Sequence, residues 1–273
     1  MGFDPRFLGP EAPMPLVTGA DAASCIVLDS LHFAVVLDTR RRFARITGVN
    51  VDGSALVDVP RADDWRFDDR IPEAWQAGPE VYARNDFDRG HLVRRRDPVW
   101  GAPEVARRAN DDTFRYPNAA PQQAGFNQSL ELWNGLEDHV LAFARVHAQR
   151  LSVFTGPVLA PDDPPYRGIL VPLRFVKVVA WRSGDELATA GFLLDQSPLV
   201  RLDERERERV AAGAVTVPDL GPFRTFQVAV AEVAAATGLE MPALVAADRM
   251  PPALAAGEPR ELTRPEDLRL GAP

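Results

Sequence analysis

Three apolar segments rich in β-branched residues follow one another between Leu151 and Asp195: "LSVFTGPVLA", "GILVPLRFVKVVAWRS" and "ELATAGFLLD". Branching at Cβ crowds a helix and suits a pleated surface, so each reads as a strand. Directly before them, "NQSLELWNGLEDHVLAFARVHAQR" from Asn127 to Arg150 carries no proline and spaces Leu132, Leu136, Val140 and Phe143 along one helical face. A helix leading straight into a run of strands requires a sheet as the organising layer, with helices packed on it. Upstream, "HFAVVLDTRRRFARITGVNVDGSALVDV" from His32 has the composition of a strand pair with an Asp-Gly turn. Downstream, "VRLDERERERVAAG" reads as a short helix with a solvated acidic face, and "FQVAVAEVAAATGLEMPALVAAD" has an alanine-rich, helical middle. The expected fold is α+β, most simply one domain over residues 25–273 behind a loose N-terminal arm over residues 1–24. "PRADDWRFDDRIPEAWQAGPEVYARND" lacks steady periodicity and reads as a long loop, a kind of segment that is commonly functional.

Charge and cysteine usage narrow the function classes. With 39 acidic against 31 basic side chains the net charge is −8, which argues against coating nucleic acid with the whole surface and leaves room for a local basic groove. The arginines do cluster, in "TRRRFAR" (Arg40 to Arg45) and in "HLVRRRD". No apolar run is long enough to span a membrane. The opening residues lack the basic-then-apolar order of a secretory signal, so the expected location is cytoplasmic. The single cysteine, Cys25, lies in the apolar run "ASCIVL" and reads as a buried, inert thiol.

The chemistry concentrates in "NDFDRGHLVRRRDPVWG", Asn85 to Gly101. By composition, an Asp-Arg-Gly-His tetrapeptide arises in about one chain in a thousand of this length. Behind it comes "TFRYPNAAPQQAGFNQSLELWNGLED", with Asn118, the Pro121-Gln122 pair, Asn127 and Glu137. This combination resembles the DNA/RNA non-specific endonuclease family. "WRFDDRIP" before the motif and "VFTGPVL", "VPLRFVKVVAW" and "FQVAVAEVAAATGLEM" after it are also similar to family segments, so the likeness runs from about Cys25 to Leu270.

Phosphodiester cleavage needs an activated water, neutralised phosphorane charge and a stabilised leaving oxygen. His91 is neutral at pH 7 with an ordinary pKa and can take a proton from that water. Arg89 offers a permanent charge and a bidentate donor to a phosphate oxygen. A hard cation, Mg²⁺ or Mn²⁺, takes oxygen ligands and keeps several waters, so one carbonyl from Asn127 can anchor it. The resemblance assigns the same roles and implies a ββα-metal (His-Me finger) core on a central, mostly antiparallel sheet flanked by helices. It further implies that Asp88 is a supporting aspartate, that Asn118 supports the site and that Arg66 is a second phosphate-contacting arginine. It places a glutamate on the asparagine's helix that reaches the metal through water. Ten residues past Asn127, Glu137 is turned about 80° from it on an ideal helix, whereas Glu131 lies within about 40°. The Trp133 to Leu136 context favours Glu137, with Glu131 the alternative.

Arg94, Arg95 and Arg96 read either as a solvated loop or as a substrate rim beside His91. Lys177, the only lysine, reads as substrate-facing. His32, His139 and His147 read as ordinary surface or core residues. The resemblance thus implies a Mg²⁺-dependent nuclease acting on DNA and RNA and leaving 5′-phosphate ends, with a homodimer as the family's habit. A catalytically silent nucleic-acid-binding module of the same fold is the alternative; one cysteine and scattered histidines disfavour a zinc-bound domain. A free nuclease in cytoplasm would harm its own cell, which suggests a regulated defence or toxin effector with an inhibitor or regulatory partner.

Overall fold

A computed structural model describes residues 2–61, 63–85, 87–123, 133–200, 224–250 and 260–261. The organising layer is an eight-stranded sheet in which every neighbouring pair is antiparallel. Strands β1 (Cys25–Ser30), β2 (Phe33–Asp38) and β3 (Phe43–Asp52) form a meander at one side. Two strands of a separate hairpin, β4 (Phe87–His91) and β5 (Ala119–Gln123), come next in the chain but stand outside the sheet. The sheet resumes with β6 (Arg150–Val158); after a small hairpin of β7 (Pro165–Tyr166) and β8 (Ile169–Leu170) it continues with β9 (Arg174–Ser183), β10 (Glu186–Asp195), β11 (Arg224–Val228) and β12 (Arg260–Glu261). The spatial order is β1-β2-β3-β6-β9-β10-β11-β12.

Both faces are covered, which explains why the central strands read as apolar runs rather than alternations. Along β9, Phe175, Val179 and Trp181 belong to one core, while Val176, Val178 and Ala180 belong to the other. The helix Trp133–Val146 covers the first face with Val140, Leu141 and Ala144, together with Leu92, Val93 and Ala120 from around the β4–β5 hairpin. The second face is covered by helices Val230–Thr237 and Pro242–Ala246 and by the N-terminal segment. A β4–β5 hairpin followed by a helix, all seated on one face of a sheet, is the ββα unit that the motif implied.

Several expectations change. The N-terminal arm is not loose: Leu8 and Ala12 are buried, Phe3 meets Phe154 edge-on at 5.4 Å, and Leu16 exchanges two backbone hydrogen bonds of 2.9 Å with Glu240. Its prolines break periodicity without preventing packing. Cys25 opens an edge strand and is half-buried, with burial pushing its thiol pKa up. The β2–β3 turn falls at Thr39 to Arg42, where Arg42 adopts φ +70°, and not at Asp52-Gly53, which ends β3. A helix over Pro103–Asp112 was not anticipated, although Pro103 at its first turn is an ordinary start signal. Asn127, Glu131, the acidic stretch Asp203 to Glu208 and most of the C-terminal tail lie outside the described residues, as does the side chain of Glu137, whose backbone belongs to Trp133–Val146. Among the described residues no helix is long and apolar enough to cross a membrane.

Candidate active site

Alternation along β4 sorts its side chains. Phe87, Arg89 and His91 share one face; Asp88 and Gly90 share the other, opposite Gln122 and Ala120 of β5. Since Ala120 belongs to the core on the sheet, Asp88 and Gly90 face inward, and Arg89 and His91 face away from the sheet. Gly90 is required by packing, since a Cβ there would strike the Gln122 side chain. Gln122 is fully buried, and neither its carbonyl oxygen nor its amide nitrogen has a hydrogen-bond partner. A buried amide without partners is costly and marks a position where a further polar group is accommodated.

Asn118 fixes the chain on the far side of His91. Its Oδ1 accepts from Val93 N at 2.8 Å, and its Nδ2 donates to the carbonyls of Val93 and Thr113 at 3.0 Å each. Its own carbonyl accepts from Leu92 N at 2.9 Å. All of this is buried, so Asn118 sets the exit path of β4 and, through it, the orientation of His91.

The His91 ring lies among aromatic side chains, 4.6 Å from Trp65 and 5.1 Å from Phe114 between centroids. Its Nε2 is enclosed with no hydrogen-bond partner. Burial first, then the charges of Arg61, Arg95 and Arg89, push its pKa down to about 3. The imidazole is therefore neutral at pH 7, and a weak base for as long as that positive field is not offset. Arg89, exposed on the same face, lays its guanidinium 5.5 Å from the Trp65 ring centre, and its charge acts on the Tyr116 hydroxyl. Burial raises the Tyr116 pKa despite the nearby Arg89, so this hydroxyl stays protonated.

The other sequence-derived residues separate. Arg66, expected beside the phosphate, donates to the Asp111 carbonyl at 3.2 Å. Arg61 is the arginine from that loop whose charge acts on His91, and it sits 5.8 Å over Phe114. Sequence reading missed both Arg61 and Trp65, because the contacts that matter are tertiary. The arginine triplet is not a plain solvated loop: Arg95 donates to the Val59 carbonyl at 2.9 Å and to Asn110 at 3.0 Å, Arg96 pairs with Asp58 at 3.1 Å, and Arg94 is half-buried. Lys177 is corrected. It is 1% exposed in the middle of β9, donating to Thr155 Oγ1 at 3.2 Å on the neighbouring strand, so it is a core residue and not a substrate-facing one. His32 stacks on Trp100 at 3.5 Å and bonds the Pro98 carbonyl at 2.8 Å, a structural pairing away from the site.

The profile of the DNA/RNA non-specific endonuclease family matches residues 17–248, which contain the whole hairpin and the helices on both faces of the sheet. The chain belongs to the DNA/RNA non-specific endonuclease family. It is 40% identical to the protein y4fB of Sinorhizobium fredii over 258 residues, 87% of this chain and 38% of y4fB. It is 29% identical to human mitochondrial endonuclease G over 59% of this chain and 58% of that protein. The mitochondrial Nuclease 1 of Schizosaccharomyces pombe is 28% identical over 64% of this chain and 52% of its own length. The chain thus spans little more than a third to about three fifths of these relatives. In the solved EndoG/EndoGI complex, a chain with 21% identity superposes with a TM-score of 0.58, covering 78% of this chain and 84% of that one. That likeness confirms the mostly antiparallel, ββα-type architecture.

Proposed function

We propose that this chain is a divalent-metal-dependent endonuclease that hydrolyses phosphodiester bonds of DNA and RNA, leaving 5′-phosphate and 3′-hydroxyl ends. The observation that supports it most is His91, held neutral with its Nε2 unpartnered, beside an exposed Arg89 that has no carboxylate partner among the described residues. With Nε2 enclosed, Nδ1 is the nitrogen left to take the proton of an attacking water. The water oxygen bonds to phosphorus, the bond from phosphorus to the 3′ oxygen breaks, and that oxygen leaves with a proton from solvent. An anionic phosphate at Arg89 also offsets the repulsion from Arg61 and Arg95, raising the basicity of His91 when substrate is bound. Phosphate contacts carry no sequence information, so cleavage is expected to be non-specific.

The residues present fit a hard cation. Among the described residues no three His, Cys, Asp or Glu converge as a zinc site requires, while Gln122 leaves a buried carbonyl oxygen unpartnered next to the motif. Asn127 would supply the direct ligand, and Glu137 or Glu131 would hold a metal-bound water. Mg²⁺ or Mn²⁺ there would neutralise phosphorane charge and stabilise the leaving oxygen. Asp88 would act from the inner face as a supporting carboxylate. Arg94, Arg95 and Arg96 would contribute to the local positive field rather than each grip a phosphate.

The reading extends to a regulated, cytoplasmic effector of defence or toxin type, working as a homodimer and restrained by an inhibitor; the EndoG/EndoGI complex shows that a protein of this fold has such a partner. The test is digestion of double-stranded DNA, single-stranded DNA and RNA in parallel, with Mg²⁺, with EDTA and with His91→Ala. Cleavage is expected only for the unmodified chain with metal, and undiminished cleavage by His91→Ala would sink the assignment. Binding of all three nucleic acids without cleavage by the unmodified chain would instead favour the silent binding module.

A further inference from the structure

Trp65 has no part in the proposed proton transfer or cation binding. Its side chain is only partly buried, unlike the 1% exposed Trp181 of the core. Three rings prop it from below and beside: His91 at 4.6 Å, Phe114 at 5.4 Å and Tyr116 at 5.9 Å between centroids. The backbone that carries it is also fixed. Arg66 N–H donates to Phe114 O at 3.0 Å, and Arg66 O accepts from Tyr116 N–H at 3.1 Å. A large aromatic ring held this rigidly yet left partly in water forgoes burial free energy, which is the pattern of a preformed contact surface. Its position adds a constraint. Arg89 lies over the same ring, so a guanidinium drawn off it by a phosphate uncovers the indole one sugar away from the adjoining base.

We propose that Trp65 is the floor of a nucleobase subsite, on which the base adjoining the scissile phosphate stacks after leaving its neighbours. Every base has a π face, so such a floor imposes no sequence requirement, while the larger purine rings gain more contact. The subsite selects for a strand whose bases are free to unstack. It rests on the phosphodiesterase reading for its position beside the scissile bond.

The test uses single-stranded oligonucleotides with one ordinary phosphodiester in an otherwise nuclease-resistant backbone, each carrying one abasic position moved stepwise past that bond. The unmodified chain should lose roughly 5- to 150-fold in kcat/KM when the base adjoining the cleaved phosphate is missing, and little when a remote base is missing. Trp65→Leu keeps bulk without a π face; it should start at the lowered rate and lose nothing further, while Trp65→Phe should regain most of the sensitivity. A Trp65→Leu variant as sensitive to the abasic position as the unmodified chain overturns the proposal, as does a loss for Trp65→Leu that simply multiplies with the abasic loss. Oligonucleotide affinity in EDTA, read by fluorescence anisotropy, separates the two readings. If nothing is cleaved, the nuclease assignment fails, yet weaker binding of the abasic strand by the unmodified chain alone still supports the subsite. Equal binding of both strands by the unmodified chain and by Trp65→Leu overturns it.

Discussion

Two dense groups of arginines lie in this protein, and their electrostatic situations are opposite. In the β2–β3 turn and the start of β3, Arg40 meets Asp21 at 2.7 Å, Arg41 meets Asp163 at 3.2 Å, Arg42 meets Glu80 at 2.6 Å and Arg45 meets Asp21 at 3.1 Å. Around His91, Arg89 rests on Trp65 and Tyr116, and Arg95 bonds a carbonyl and an amide; among the described residues neither has a carboxylate partner. The consequence is visible in what each group does to its neighbours. Arg40 first, with Arg45, holds the Asp21 carboxyl below its ordinary range, a charge satisfied. Arg61, itself paired with Asp63 at 3.2 Å, joins Arg95 and Arg89 in adding to burial to keep the His91 ring uncharged, so the field there stays net positive. An acidic protein can therefore present a cationic patch, because its carboxylates are spent elsewhere.

The contrast is sharpest at Arg89. Arg89→Ala should lower kcat/KM on DNA by about 10³-fold, as removal of a donor aimed at developing charge does, with Arg89→Lys recovering only part for want of a fork. Arg40→Ala should stay within about twofold, being exposed and paired; comparable losses for the two would erase the distinction. Arg41→Met should show the reverse pattern, costing about 3 kcal/mol in urea unfolding by stranding the buried Asp163, while kcat is unchanged. Next in size, Arg61→Ala should lower kcat/KM by about tenfold, more than Arg66→Ala, whose guanidinium serves the Asp111 carbonyl. The last contrast is read on stability alone, as a pH slope. Between the ordinary 6.5 and about 3 the unfolded chain binds a proton at His91 that the folded chain does not, so this contribution is complete above that window and is lost as pH falls through it. His91→Gln should flatten the stability profile there, while the loss linked to Asp21 begins only below its ordinary 3.8.

How far the sequence alone reaches is clear from particular residues. The shared face of Arg89 and His91 was legible because alternation along one strand already sets which side each takes, and Asn118 directly precedes the partner strand. The sheet was legible because β-branched runs have few alternatives. Trp65 and Arg61 were not, since only the folding back of a long irregular loop brings them to His91. Lys177 misled for the same reason, as its partner Thr155 is adjacent only across two strands. The arm misled because proline-rich segments pack without periodicity, through isolated anchors such as Leu8 and Phe3.

That arm carries a consequence for how the molecule is made. Leu16 closes its backbone bridge with Glu240, a partner that follows it by most of the chain. During synthesis the arm must wait, unpaired, until the segment around Glu240 has left the ribosome, so the second face of the sheet is sealed only after that segment has emerged. Contacts of such long separation are formed late and slowly. The hairpin bearing His91 has its strand partner close in sequence and can form early. Chemistry and final closure thus belong to different moments of the protein's biogenesis.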